Sequence, residues 1–448
     1  MKKILIIQLD DPYFLFETLQ VLEKLNYQMK DFELTVLAEK KSIDSISNSM
    51  IPLMKGLTTD PSQALSKDYD LSVNFSLNEK SWDYQDIVKS THKVGALRKE
   101  NKLTVEDLWT TYLLTLKNGA PFLTFHLRDI YKNILGIKSV LEIKNTPRLP
   151  IKQIAYGSSL PQVFNPEEQE IFITLLTQKL SIPIIDISEV DLIEDVSRTL
   201  YIGPSSLEVL QFCEAGGKSI FLTSSFQGFN LIPYSGDHLI ISSNGGTFLS
   251  SPLLKTIENE ILNKTNTDGP FSIYKIDNQI FNGSFLKNIR SLDGNYPFYQ
   301  SHLILWNYLL SMSDVHLEIM KCTESQLGLI RSNTEALKKL IRIYEYAMVS
   351  IDHIYQQAKS PSADPQIIEE NIKILLDIDS LSTELAKSHR LLRPFLDFYR
   401  LRRNQNLGTS LIEHSQNNYL IYAEEYQALK GLMELLSVTI SKNEVIIY

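Results

Sequence analysis

Cysteine is nearly absent from this chain: of 448 residues only Cys213 and Cys322 carry a thiol. Two cysteines build no disulfide framework, and neither stands in a metal-ligand spacing, so both are expected as buried, reduced thiols. Long hydrophobic runs are missing as well. No stretch approaches the roughly 20 apolar residues that span a bilayer. The opening Ile4-Leu5-Ile6-Ile7 is cut short by Gln8, Asp10 and Asp11, too early for the apolar core of a signal peptide, so none is expected. Excess positive charge is lacking too. The net charge of −9 supplies no general field for a phosphate backbone, which argues against nucleic acid as a partner. One local exception, Arg400, Arg402 and Arg403, reads as a solvated helix end. There is no internal repeat and no low-complexity segment. The expectation is a cytoplasmic protein with no transmembrane segment, no metal site and no resident cofactor.

What the chain does contain is enough apolar material for more than one core. Apolar residues make up 43% and charged residues 22%, ordinary values for a globular protein, and 448 residues exceed what a single core holds. Ile4 to Leu9 is a short, continuous apolar run, the mark of a strand buried on both faces of a parallel sheet. After the turn Asp10-Asp11-Pro12, the spacing of Phe16, Leu19, Leu22 and Leu25 predicts a helix, and Phe32 to Leu37 a second strand. Such a βαβ start implies a right-handed crossover and a doubly wound sheet. Tyr69 to Phe75 and Lys93 to Ala96 are further strands. Pro147-Arg148-Leu149-Pro150 reads as a linker, after which the alternation restarts. Strands are expected at Gln153–Tyr156, Ile182–Ile187, Thr199–Ile202 and Ser219–Thr223, with helices from Pro166 and over Leu207–Glu214.

From about Asp314 the pattern turns helical. Ile330, Leu337, Tyr344 and Ile351 recur every seven residues, with Leu327, Ile341, Met348 and Tyr355 as the other half of the seam and Thr334 as its polar gap. Ser360 to Pro365 breaks this helix, and two further helical stretches follow, at about 366–403 and 411–438. An intramolecular hairpin or bundle is the expected use of the seam, with self-association as the alternative. The expected fold class is therefore α/β, with two Rossmann-like domains of the GT-B type at 1–150 and 151–313, and an all-helical extension at 314–448. Ligands in such sheets bind at the carboxyl ends of strands, which directs attention to the loops beginning at Asp10, Gly157, Gly203 and Ser224.

Several passages resemble glycosyltransferase family 9, the heptosyltransferase-like enzymes of bacterial surface polysaccharides. KILIIQLDDPYFLFETLQVLEKL is similar to the first βα unit of that family, and YDLSVNF with HKVGALR to a later strand pair. WTTYLLTLKNGAPFLTFHLRDIYKNILGI is similar to a connector seen in a proteobacterial subset. YIGPSSLEVLQFCEAGGKSIFL looks like the donor-site strand, loop and helix, and TSSFQGFNLIPYSGDHLII like the passage after it, with His238 retained. The resemblance implies a nucleotide sugar as co-substrate and an inverting transfer. That reaction needs a general base near the acceptor and positive charge or helix N-termini at the departing phosphates.

The implied chemistry is not matched residue by residue. Where the family carries Gly-Asp, with the Asp as base, this chain has Tyr13 and Phe14, leaving Asp10, Asp11 or Glu17 as shifted candidates. A donor-phosphate Lys is replaced by Val163, beside a Gly157-Ser158-Ser159 turn whose N–H groups suit an anion. The Asp-[Ser/Thr]-Gly loop is Gly203-Pro204-Ser205-Ser206, and Leu210 stands where the family has a His. Glu208 in the first helical turn opposes an incoming anion. The expectation is a fold kept without its usual chemistry, serving binding or assembly with a protein partner. An active, divergent transferase using Asp10 or Asp11 as base is the alternative.

Overall fold

The structure is a computed structural model. It describes residues 2–28, 32–46, 56–99, 102–116, 124–137, 149–157, 163–191, 194–224, 232–234, 236, 238–243, 248, 251–261, 271–281, 283–290, 296–310, 322, 324–389, 391–405 and 410–444. Pro147 and Arg148 of the expected linker, Ser158, Ser159 and Asp314 lie outside the described residues.

The first part of the chain runs β1 (Lys2–Gln8), α1 (Pro12–Gln28), β2 (Phe32–Ala38), α2 (Lys40–Asp44), β3 (Leu57–Thr58), α3 (Pro61–Leu65), β4 (Asp68–Asn74), α4 (Glu79–Ile87) and β5 (Lys89–Gly95). These strands form one sheet in the order β3-β2-β1-β4-β5, that of a doubly wound α/β sheet. The apolar run of β1 is buried over its last five residues, as a central parallel strand requires. Gly95 closes β5 at φ +95°, where a Cβ would stand 2.2 Å from the Asn74 carbonyl oxygen, so no side chain fits. The short pair β6 (Leu97–Lys99) and β7 (Lys102–Thr104) is antiparallel, and α5 (Leu108–Thr115) and α6 (Leu127–Ile134) complete this part.

A second sheet follows. Its elements are β8 (Gln153–Tyr156), α7 (Pro166–Leu180), β9 (Ile184–Asp186), β10 (Thr199–Gly203), α8 (Leu207–Glu214), β11 (Lys218–Thr223), β12 (Leu239–Ser242), α9 (Ser251–Ile261), β13 (Ser272–Phe281) and β14 (Gly283–Arg290). The order is β14-β13-β12-β11-β10-β8-β9, parallel from β12 to β9 and antiparallel at β13 and β14. Helix α7 starts as its sequence predicts, with Pro166 at the first position and a reciprocal cap between Asn165 and Glu168. The core of this sheet joins Ile154, Leu200, Ile202, Ile220 and Ile241 to Phe172, Leu176 and Ile257 of the helices.

Beyond the sheets come α10 (Tyr296–Leu309), α11 (Glu324–Lys359), α12 (Pro365–Ser388), α13 (Arg393–Asn404) and α14 (Leu411–Glu444). Two parallel α/β sheets and a helical C-terminus are the expected fold class. The heptad seam of α11 is used inside the chain: Leu327, Ile330, Leu337, Tyr344 and Ile351 are buried, and α11 packs on α12 and α14. The single helix expected over 366–403 is two, because Pro394 has no N–H to give to the preceding turn and instead opens α13.

By compactness the chain divides into two units. One comprises Met1–Lys2, Gln8–Pro61 and Phe122–Tyr296, the other Lys3–Ile7, Ser62–Pro121 and Pro297–Tyr448. In the second, Trp306 of α10 stacks on Phe395 of α13 at 4.5 Å and 3°, with Tyr112 of α5 edge-on at 4.9 Å. His302 stands edge-on to the same Phe395 ring at 4.6 Å. Burial depresses this imidazole to about 3, partly countered by the Leu391 backbone. The folded chain therefore keeps His302 neutral while the unfolded chain protonates below about 6.5. Its contribution is complete above that pH and is lost as pH falls. Relative to a His302→Leu variant, the parent should lose about 1.4 kcal/mol of stability between pH 7.5 and 5.5. Parallel urea titrations of both proteins at the two pH values check this, and an unchanged difference contradicts it.

Candidate functional site

The carboxyl ends of the strands on either side of each sheet reversal are where a doubly wound fold presents ligands. In the first sheet the reversal lies between β1 and β4, and in the second between β8 and β10. Asp10 and Asp11 follow β1, Gly157 follows β8, and Gly203 ends β10, so the residues expected from sequence do stand at these ends. What surrounds them decides what they can do.

After β1 the chain is tied down by its own polar groups. Gln8 accepts from the Asp10 N–H (3.1 Å) and donates to the Tyr131 hydroxyl (3.1 Å), and Ser42 donates to the Asp10 carbonyl (2.9 Å). Asp11 is exposed, and its carbonyl accepts from Phe14 N–H in the first turn of α1. Tyr13 is buried at 7% exposure and sits edge-on to Phe14.

Glu17, the third candidate base, is fully buried (0% exposed) and does not face open space. Both its oxygens bind the Arg128 guanidinium of α6, Oε2 through a short contact with Nε and Oε1 with Nη2 at 3.5 Å. The same Nη2 reaches Glu214 at the end of α8 at 2.6 Å. Burial raises the Glu17 carboxyl to about 7 against the pull of Arg128, and Glu214 adds to the rise. Around this triad lie more buried polar groups. Asp129 accepts from Tyr234 (2.8 Å) and pairs with Lys132 (3.2 Å), and the Arg128 guanidinium lies 5.4 Å from the Tyr234 ring centroid.

His126 caps α6 in an arrangement that fixes its tautomer. Its Nδ1 accepts from the Arg128 N–H at 3.1 Å, so the proton is on Nε2, which donates to the Ile232 carbonyl at 2.9 Å. A second proton would set N–H against N–H, and burial with the Arg128 charge also holds the ring well below its usual value. A neutral, doubly engaged imidazole inside the protein orients backbone rather than moving protons.

The loop after β10 is equally occupied. Tyr201 donates to the Pro204 carbonyl at 2.7 Å, and a Cβ on Gly157 would lie 3.4 Å from that same hydroxyl oxygen, so the phenol covers the glycine. Ser206 accepts from the Val209 N–H at 3.3 Å and so caps α8, satisfying a helix donor that an anion would otherwise use. Ser205 is half-buried beside it. Glu208 stands in the first turn of α8, and partial burial together with the charge of Asp186 raises its carboxyl. Two acids near a helix N-terminus repel a diphosphate. Val163 packs against the apolar core of the second sheet, and Leu210 is buried. His238 lies away from solvent, with Nδ1 on the Ser219 hydroxyl at 2.8 Å and on Cys213 Sγ at 3.9 Å. Gly236 at φ +122° passes so close to its ring that a Cβ would meet Nε2 at 2.3 Å.

The structure thus brings Gly203, Ser205 and Ser206 into one loop and places Asp10 beside the network of Gln8 and Tyr131. The network built on His126, Arg128, Asp129, Lys132 and Tyr234 was not legible as a site. Two signals for it exist: Glu17 is a lone acid within the apolar first half of α1, and HLRDIYK puts four ionisable side chains next to buried Leu127, Ile130 and Tyr131. A buried acid needs a partner, and a helix with polar groups on its core side supplies one. Among the described residues no group of His, Cys, Asp and Glu could hold a metal ion, and no helix is long and apolar enough to cross a membrane.

No protein-family model matches the chain, and no curated protein matches it. Solved structures of glycosyltransferase family 9 resemble it at low identity. The E. coli heptosyltransferase WaaC with ADP has a TM-score of 0.38 and 11% identity, covering 59% of this chain and 100% of that one. WaaC with ADP-2-deoxy-2-fluoro heptose gives 0.35 and 10%, covering 58% and 99%. A family 9 glycosyl transferase from Veillonella parvula DSM 2008 gives 0.33 and 12%, covering 60% and 91%.

Proposed function

We propose that this chain is a glycosyltransferase-like protein without sugar transfer, built of α/β domains at 1–150 and 151–313 and a helical domain at 314–448, and used for binding or assembly with a protein partner. The observation that carries this reading is the bonding of Glu17, whose carboxylate is spent on Arg128 inside the protein. A general base must reach the proton that it removes. Supporting it, the α8 N-terminus is capped by Ser206 and flanked by Glu208, where a transferase would place groups that welcome a diphosphate.

Isothermal titration of the full chain with ADP, UDP and GDP and with their sugar conjugates tests the reading. The expected result is no saturable binding that depends on the Gly203–Ser206 loop. Saturable binding of a nucleotide sugar that Ser206→Trp abolishes overturns it. Release of the nucleoside diphosphate, lost in Asp10→Asn or Asp11→Asn, would then identify the base of an active enzyme.

A further inference from the structure

The basic run near the end of α13 is not the solvated helix end that its sequence suggests. Arg400 and Arg403, with Arg393 and Lys387, line a pocket of about 310 Å³ where α12 meets α13, facing Asp379 and Asp397. Lys387 is already paired with Glu384 at 2.6 Å and Arg403 with Glu425, so the charges balance as a whole and the open forks of donors are those of the two half-exposed arginines, Arg393 and Arg400.

The internal ion pairs do not exhaust the donors of these guanidinia. Asp397, with a side chain 7% exposed, is shared by two guanidinia: Arg400 Nη2 at 2.8 Å and Arg393 Nε at 3.4 Å. Arg403 is divided between Glu425 and, at 3.0 Å, Asp379. Its side chain is also 7% exposed, yet its Nε has no hydrogen-bond partner among the described residues. A buried donor left open is uncommon and calls for an acceptor. Each guanidinium has five N–H donors, and among the described residues Arg393 and Arg400 each pair with Asp397 alone, leaving forks that suit a tetrahedral or planar oxyanion. Leu396 and Ala386 add apolar wall. The volume lies at the small end of the range for metabolite sites, roughly 300–1,000 Å³.

We propose that this pocket binds a small phosphomonoester, with Arg393 and Arg400 as the phosphate forks and Arg403 as the buried donor behind them. The oxygens of such a group match the two guanidinia that share the single carboxylate of Asp397, and a volume of about 310 Å³ admits a single head group rather than a polymer. The proposal stands whether or not the α/β part transfers sugar.

Titration of the full chain with inorganic phosphate and with glucose 6-phosphate, with glucose as control, is the test. Saturable binding is expected for both phosphates and none for glucose. Arg393→Ala and Arg400→Ala, at half-exposed positions, should each weaken binding about tenfold or more, the scale of a charge-assisted hydrogen bond. Unchanged circular dichroism shows that both variants fold. Ser206→Trp should leave phosphate binding as it is. No saturable binding, or binding in both arginine variants as tight as in the parent, overturns the proposal. Nucleotide-sugar binding lost in Ser206→Trp but kept in the arginine variants counts only against the reading of the α/β part, so the two fail separately.

Discussion

Changing Arg128 to methionine is expected to destabilise the folded chain by about 3–5 kcal/mol at neutral pH. Methionine keeps most of the stem volume, so the loss isolates the charge. Without the guanidinium, Glu17 is left fully buried and Glu214 loses its 2.6 Å partner. The Glu17 carboxyl, already raised to about 7 by burial, loses the cation that holds it down and rises further. A raised acid contributes its full stability below its unfolded value and loses it as pH rises through the folded one, so the defect should grow from pH 6 to pH 8. Urea unfolding of parent and Arg128→Met at the two pH values measures both effects. Adding Glu17→Gln to the variant should recover much of the loss, because removing both partners is far cheaper than stranding one. A loss below about 1 kcal/mol would mean that water reaches these groups and that the triad is not the buried brace described above.

The second large effect is expected in the helical bundle. Arg403 of α13 pairs with Glu425 of α14 and Asp379 of α12, and lies 4.4 Å from the Tyr422 ring centroid. Tyr344 of α11 donates to Glu425 at 2.8 Å, so α11, α13 and α14 meet at one carboxylate and α12 joins them through Asp379 on Arg403. Burial raises Glu425 to about 7, against Arg403 and the Tyr344 hydrogen bond. Arg403→Met should again cost about 3–5 kcal/mol. Here the damage should be local: amide exchange is expected to accelerate in α12, α13 and α14 while β10 and β11 keep their protection. Uniform acceleration everywhere would contradict a brace confined to the bundle. Glu425→Gln should cost less, since the amide oxygen still accepts from Tyr344.

How far the fold was legible depends on the range of the signal. β1, α1, β2, β4, β8, β10 and α8 follow from apolar runs and caps that lie within a few residues of each other, and the structure has them nearly where the sequence places them. The antiparallel pair β13 and β14 escaped notice, because an edge pair alternates apolar and polar residues too weakly to stand out from loop. The division of 366–403 was readable and was missed: Pro394 is a helix start, not a helix interior residue. The candidate loops were legible as places, because strand ends in a doubly wound sheet are predictable. Their contents were only half legible. That Glu208 opposes an anion follows from its position alone, whereas the covering of Gly157 by Tyr201 joins residues from different strands.

The heptad seam marks the boundary between the two kinds of knowledge. Its spacing by itself determined that α11 has an apolar stripe, because helical periodicity is a property of neighbours three and four apart. Which surface covers the stripe was decided by the tertiary structure, where α12 and α14 fold back on it. The same holds for charge. Sequence determined that a lone acid in an apolar helix, Glu17, must find a partner, since an unpaired buried carboxylate is too costly to keep. Only the fold chose Arg128, 111 residues away, and added Glu214. Distance along the chain carries no information about which opposite charge will arrive, because a salt bridge depends on where two side chains end in space and on how much water the surrounding packing removes.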